Sequence, residues 1–194
     1  MNDIAKAIAM VKQGRIIIYP TDTAFGIGCR IDNREAVDRL FTIRKRPRTQ
    51  ATPILVSSKD MALTYSSSPS LIVRRLMETY WPGGLTIIAS CKTDLIYEPI
   101  RGGGQTIGLR MPNHSDILAV IESVGVPILG PSANFHGDAT PYIVEDLNPQ
   151  LTPLVDYVLP GSCSLKQAST VIDTTTSPAK ILRQGAVDVD FNIL

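Results

Sequence analysis

Thr21, Asp22 and Thr23 follow directly on a compact apolar run, Arg15 to Tyr19, that Pro20 stops. Two hydroxyls and a carboxylate in a turn after a buried strand lie where ligands gather in open α/β sheets, outside the strand ends. The alternative for the same residues is a plain Asx or Thr turn. A second group, Arg44-Lys45-Arg46-Pro47-Arg48, supplies fixed cations. Guanidinium forks take phosphate oxygens bidentately and neutralise charge that builds up during transfer, so this cluster suits a triphosphate. The helix dipole alone also favours cations at a helix end.

Gly130-Pro131-Ser132-Ala133-Asn134 follows another apolar run and offers a hydroxyl and an amide at alternate positions. In an extended segment Ser132 and Asn134 project to one side and could meet one ligand; Ser, Asn and Pro are equally ordinary turn residues. Two strand-like stretches each carry one arginine near the end, Arg110 in Ile107 to Pro112 and Arg183 in Ile181 to Gly185. A cation rooted among strand residues is costly to bury unless paired. Either one could bind a carboxylate or phosphate, or close an internal salt bridge. Ser169 and Thr170 add two hydroxyls before Val171, a Thr-Val pair that β-propensity alone also explains. His114 and His136 fall in loops and receive no catalytic role.

The elements that must hold these residues can be read from periodicity. Ile4, Ile8 and Val11 predict a first helix, capped by Asn2 or Asp3 and ended by Gly14. Asp32 with Glu35 has capping-box spacing for a second helix, which ends near Arg44. Ser68-Pro69 predicts the start of a third, carrying Ile72, Leu76 and Tyr80, and Ser115 the cap of a fourth. Strands are expected at Arg15 to Tyr19, Pro53 to Ser57, Leu85 to Ser90, Thr106 to Met111, Pro127 to Gly130, Leu154 to Leu159, Thr170 to Asp173 and Lys180 to Arg183. Residues 135 to 153 read as loop with one short helix. The alternation predicts an α/β (α+β) fold, one mixed, twisted β-sheet with flanking helices.

Composition narrows the classes. With 44% hydrophobic and 19% charged residues in 194, the chain is globular rather than disordered, and one domain over residues 1–194 is expected. A net charge of +1 provides no global field for nucleic acid, so any polyanion must be held locally. Cys29, Cys91 and Cys163 form no C-x-x-C pair, which argues against a disulfide framework and a structural zinc site. Carboxylates could still hold a magnesium ion that arrives with a nucleotide. The first fifteen residues read as an amphipathic helix rather than a signal peptide, and no run reaches the roughly 18 apolar residues of a membrane span. A cytoplasmic protein without membrane contact is expected. There is no G-x-x-x-x-G-K-S/T, G-x-G-x-x-G or G-x-S-x-G motif, so a nucleotide would be bound through scattered arginines.

Taken in order, PTDTAFGIGC, AVDRLFTIRKRP, PILV, WPGGLTII, IGLRMPNH, GPSAN, STVID and ILRQG resemble the YrdC-like family of threonylcarbamoyl-AMP synthases, in its short form without an extra C-terminal domain. The resemblance implies a YrdC-like fold with an open, positively charged concave cleft. It implies a nucleotidyltransferase that joins L-threonine, bicarbonate and ATP, with Mg2+ entering as part of the ATP complex. The product, threonylcarbamoyl-AMP with pyrophosphate released, feeds the threonylcarbamoyladenosine modification of tRNA. The family's K-x-R and S-x-N pattern falls on Arg44, Arg46, Ser132 and Asn134 as catalytic residues, with arginine where the family has lysine. By the same resemblance Thr21 and Thr23 are threonine-pocket residues, Arg110, Ser169 and Arg183 are ligands of the substrate carboxylate or phosphates, and Arg46, Ser132 and Asn134 also contact the nucleotide. The competing expectations are a YrdC-like paralogue with altered substrate and an RNA-binding protein that uses the basic concave face. Weak tRNA binding and docking of proteins of the tRNA-modification pathway belong to the same set.

Overall fold

The computed structural model describes residues 2–193. Helix α1, Asp3–Lys12, is capped by the Asn2 side chain, which accepts from the Ala5 N–H at 2.8 Å, and it buries Ala7 and Val11. The chain then forms a hairpin, β1 at Ile17–Tyr19 and β2 at Gly26–Gly28, with Ile18 opposite Ile27. The PTDT turn is the hairpin's loop.

Helix α2, Arg34–Ile43, turns Val37, Leu40 and Phe41 into the core. Its cap is Asn33, whose side chain accepts from the Ala36 N–H at 3.0 Å, not Asp32 as the capping-box spacing predicts. Asp32 is drawn off by Arg30 at 2.6 Å. After β3, Ile54–Leu55, comes a seven-residue helix, α3, Lys59–Tyr65, which periodicity misses because only Ala62 is buried. The next helix, α4, spans Leu71–Tyr80 and is capped by Ser70 rather than opened by Ser68-Pro69. Strands β4, Leu85–Ser90, and β5, Thr106–Arg110, flank a turn that includes Gly102 to Gly104. In α5, Ser115–Val124, Ser115 is the first helical residue and His114 the N-cap, with no side-chain capping bond. Strand β6, Ile128–Leu129, precedes a long connection with short 3-10 turns, and β7, Tyr157–Val158, β8, Thr170–Asp173, and β9, Lys180–Arg183, complete the fold.

These strands form two sheets where alternation alone predicts one. The larger has the order β6-β3-β5-β4-β8-β9, with β3 and β5 parallel, β4 and β8 parallel and the other neighbours antiparallel. The smaller has the order β2-β1-β7. Bridges from Gly26 to Ser132 and from Arg30 to Ile128 stitch the two together. Strand β2 lacks a sequence signal because close backbone approach demands its glycines: a Cβ on Gly28 would sit 2.1 Å from the Leu129 carbonyl oxygen, and one on Gly26 2.6 Å from the Tyr19 ring.

The main core lies between the large sheet, α2, α4 and the hairpin, and a second packs α1 and α5 over Ile17, Tyr19 and Ile128. Burying each such aliphatic side chain stabilises the fold by roughly 1.5–3 kcal/mol, so the rims on which the polar motifs sit are firmly anchored. Among the described residues no helix is long and apolar enough to cross a membrane.

Candidate active site

The polar motifs meet in one cavity of about 300 Å³ between the two sheets. Thr21 and Thr23 from the hairpin loop, Arg44 and Arg46 from the end of α2, and Ser132 after β6 line one part of it. Arg110 at the end of β5, Ser169 before β8 and Arg183 on β9 line the rest. Of the nine residues to which the family resemblance gives a catalytic or binding role, Asn134 is not on the wall; it stands behind it.

The backbone at the end of α2 explains how Arg44 and Arg46 both reach the cavity while Lys45 does not. Arg44 is still helical, with φ −77° and ψ −4°, and Lys45 then takes the left-handed conformation at φ 53°. That conformation costs an L-residue about 1–2 kcal/mol. The Lys45 side chain is exposed, with its ammonium 4.9 Å from the Phe135 ring centre. Arg44 is 3% exposed; its Nε donates to the Asn134 carbonyl at 2.9 Å and its Nη2 to Asn134 Oδ1 at 3.2 Å. Burial, with the neighbouring charge of Arg46, pushes the Arg44 guanidinium pKa down to about 10. Burial also lowers that of Arg46, whose Nε donates to the Gln50 carbonyl at 3.1 Å and whose Nη2 donates to that of Ala51. Among the described residues neither the buried Arg44 nor the half-buried Arg46 pairs with a carboxylate, and two such neighbouring cations suit an anion.

Asn134 organises this end. Its Oδ1 accepts from Ser132 Oγ at 2.6 Å as well as from Arg44, and its Nδ2 donates to the Asp138 carbonyl at 2.7 Å. The alternate spacing does bring Ser132 and Asn134 together, but onto each other rather than side by side on the wall.

Arg110 is committed elsewhere. Its Nε donates to the Gly83 carbonyl at 3.0 Å, its Nη1 to Thr23 Oγ1 at 2.6 Å, and its Nη2 pairs with the buried carboxylate of Asp22. Burial lowers the Arg110 pKa and the Asp22 charge opposes that. Thr21 Oγ1 donates to the Ala24 carbonyl at 2.7 Å and accepts from the Thr23 and Ala24 N–H groups at 3.2 Å. The turn's hydroxyls and carboxylate are thus knitted to β5, with charge nearly balanced.

On the opposite side, Arg183 has no carboxylate partner among the described residues. Its Nε donates to the Ser169 carbonyl at 3.0 Å and its Nη2 to Ser169 Oγ at 3.0 Å, and that hydroxyl lies 2.8 Å from Thr86 Oγ1. Burial lowers its pKa. Gly185 explains the end of the ILRQG stretch, since a Cβ there would lie 2.2 Å from the Ala168 carbonyl oxygen. The backbone of β9 must press against the segment that presents Ser169.

Sequence reasoning passed over Thr52, Thr86 and Gly108, which also line the cavity. None carries a local signal: Thr86 alternates inside an ordinary strand, and Gly108 matters because a Cβ would meet Pro53 and Thr86 at 3.3 Å. The cysteines are all buried, and burial pushes the Cys29 thiol up to about 12. Among the described residues no group of three His, Cys, Asp or Glu could hold a metal ion. The wall offers guanidinium, hydroxyl and backbone donors, the complement of an anionic, phosphate-bearing ligand.

A family model described as "Telomere recombination" and named for Sua5, YciO and YrdC matches residues 9–185. A Bacillus subtilis protein named threonylcarbamoyl-AMP synthase is 31% identical over 190 residues, 95% of this chain and 54% of the relative. The chain thus spans about half the length of that relative. Sua5 of Pyrococcus abyssi, in a crystal structure with L-threonine, superposes with a TM-score of 0.89 at 28% identity, over 95% of this chain and 55% of that one. Escherichia coli YciO superposes with a TM-score of 0.84 at 28% identity, over 95% and 90%. On the match along most of its length and the shared fold, the chain belongs to the Sua5/YciO/YrdC family.

Proposed function

We propose that the chain is a threonylcarbamoyl-AMP synthase, a nucleotidyltransferase that joins L-threonine, bicarbonate and ATP. The observation that carries this reading is the division of one cavity into two cationic sides. Arg44 and Arg46, with no carboxylate partner among the described residues, face a nucleotide's phosphates. Arg183, with Ser169 and Thr86, faces an amino-acid carboxylate. That a relative of the same fold holds L-threonine supports an amino-acid substrate.

In this mechanism the threonine amine and bicarbonate give a carbamate with loss of water. A carbamate oxygen then attacks the α-phosphorus of ATP; the new P–O bond forms as the bond to the β-phosphate oxygen breaks, and pyrophosphate leaves. The protein's share is positioning and charge stabilisation, because among the described residues no acid-base pair lines the cavity. Arg44 and Arg46 neutralise the departing phosphates, and the Ser132 hydroxyl, released from Asn134, meets the nucleotide. Magnesium enters bound to the ATP phosphates, as part of the substrate. The adenylate would then be consumed in tRNA modification.

Pyrophosphate release from ATP that requires both L-threonine and bicarbonate, with label from bicarbonate in an adenylate, is the expected result. Release indifferent to either omission would sink the reading. Arg44 favours a second reading, a paralogue with altered substrate, because it replaces the family's lysine and YciO is matched over nearly its whole length. Arg44→Lys separates the two: it raises threonine-dependent release in a synthase and produces none in such a paralogue.

A further inference from the structure

Among the described residues, two buried side-chain atoms without a hydrogen-bond partner belong to residues that line the cavity, Nη1 of Arg44 and Oγ1 of Thr52. The two residues are 3% and 1% exposed. Buried polar atoms are nearly always paired, so each such exception calls for a cause. Arg44 Nη1 can only donate, whereas a hydroxyl donates once and accepts twice. A ligand oxygen bearing negative charge would satisfy either atom, and an amine would leave Arg44 unpaired.

The backbone around Thr52 is fixed without any use of its hydroxyl. The Thr52 N–H donates to the Ile100 carbonyl at 2.9 Å, and the Pro53 carbonyl accepts from the Gly130 N–H at 2.8 Å. The two preceding carbonyls, Gln50 and Ala51, accept from Arg46. Behind them a Cβ on Gly102 would come within 2.7 Å of the Ala51 nitrogen, so the supporting turn lies as close as backbone allows. Thr21 and Thr170, by contrast, bond their hydroxyls to backbone carbonyls. Valine would fill the Thr52 site equally well, and the fold gains nothing from the oxygen.

We infer that Arg44 Nη1 and Thr52 Oγ1 are the donors of an oxyanion subsite and that Thr52 is a ligand-binding residue of the cleft. The subsite rests on, and deepens, the reading of the cleft as a synthase site. Arg46, by holding the 50–51 carbonyls, positions Thr52. The ligand is an oxygen-rich anion, and the polyphosphate of ATP or bicarbonate could supply it.

The test compares the full chain with Thr52→Val, which keeps shape and loses the hydroxyl, Thr52→Ser, which keeps the hydroxyl, and Thr52→Ala. Inorganic pyrophosphate and L-threonine are titrated calorimetrically, and the KM for labelled bicarbonate is measured. Thr52→Val and Thr52→Ala are expected to weaken pyrophosphate binding about tenfold, with L-threonine affinity unchanged and Thr52→Ser close to wild type. Unchanged pyrophosphate binding with a bicarbonate KM raised about tenfold assigns the same subsite to bicarbonate. The inference is overturned if Thr52→Val matches wild type for both anions, if Thr52→Ser is no better than Thr52→Val, or if L-threonine affinity falls in parallel. The synthase reading fails separately: Thr52-dependent pyrophosphate binding without incorporation of labelled bicarbonate removes that reading and leaves the subsite standing. A wild-type chain that binds neither anion removes both.

Discussion

Asn134 holds Arg44 at two points, its carbonyl oxygen taking the Nε proton at 2.9 Å and its Oδ1 taking one from Nη2 at 3.2 Å. The amide thereby orients a buried cation without standing on the cavity wall. Asn134→Ala keeps the carbonyl and deletes Oδ1, the acceptor shared with Ser132. Loss of these bonds from buried donors is expected to destabilise the fold by about 1–3 kcal/mol. Urea unfolding checks that, and threonine-dependent pyrophosphate release should fall at least tenfold because Arg44 loses its orientation.

Asp22 and Arg110 form a buried pair across 88 residues of chain. Breaking such a pair from one side leaves an uncompensated charge, which typically costs about 3–5 kcal/mol. Asp22→Asn is expected at the lower end of that range, since a carbonyl oxygen can still accept. Replacing both partners, as in Asp22→Asn with Arg110→Met, should recover part of the loss. Denaturant unfolding of the single and double variants measures this.

Ser169 is the acceptor that aims Arg183, and its hydroxyl also meets Thr86. Ser169→Ala keeps the Nε bond to the backbone carbonyl and frees Nη2. Affinity for L-threonine should fall about tenfold, with ATP affinity within twofold of wild type. Equal losses for both ligands would contradict the two-sided cavity.

Acid stability should depend on Asp156, which ties Ile16, the residue before β1, to α2. Its Oδ2 accepts from the Ile16 N–H at 2.8 Å and from Arg39 Nη1 at 2.5 Å. Burial pushes its pKa up, but the Arg39 bond, the Ile16 N–H and nearby cations outweigh this, and the net direction is down. Between the lowered folded value and the ordinary unfolded one, the unfolded chain binds more protons, so stability rises with pH there. The contribution is complete above about pH 4 and is lost as pH falls through the folded value. Asp156→Asn should cost about 1–2 kcal/mol at pH 7 and flatten the acid limb. Urea unfolding at a series of pH values from neutral to acid checks both.

Much of this was legible without coordinates. The strands at Leu85–Ser90, Thr170–Asp173 and Lys180–Arg183 have the predicted bounds, because β-branched runs between turn residues are determined within a few residues. The helix caps moved, from Asp32 to Asn33, from Ser68 to Ser70 and from Ser115 to His114; at the second helix Arg30 ties up the Asp32 carboxylate and Asn33 takes the Ala36 N–H. Strand β2 was hidden because its glycines answer to Tyr19 and Leu129, residues outside the segment.

Sequence by itself determined that polar motifs stand at the ends of apolar strands, and their order determined the family. Only the tertiary structure decided which of those polar groups are committed to one another. Asp22 and Arg110, Thr23 and Arg110, and Asn134 and Arg44 are 88, 87 and 90 residues apart, and no local spacing encodes such pairs. The physical reason is range. Backbone preference acts over a turn, whereas the cost of burying a charge is settled by whatever partner packing brings beside it, and so it was packing that left Arg44 Nη1 and Thr52 Oγ1 unpaired at the cavity.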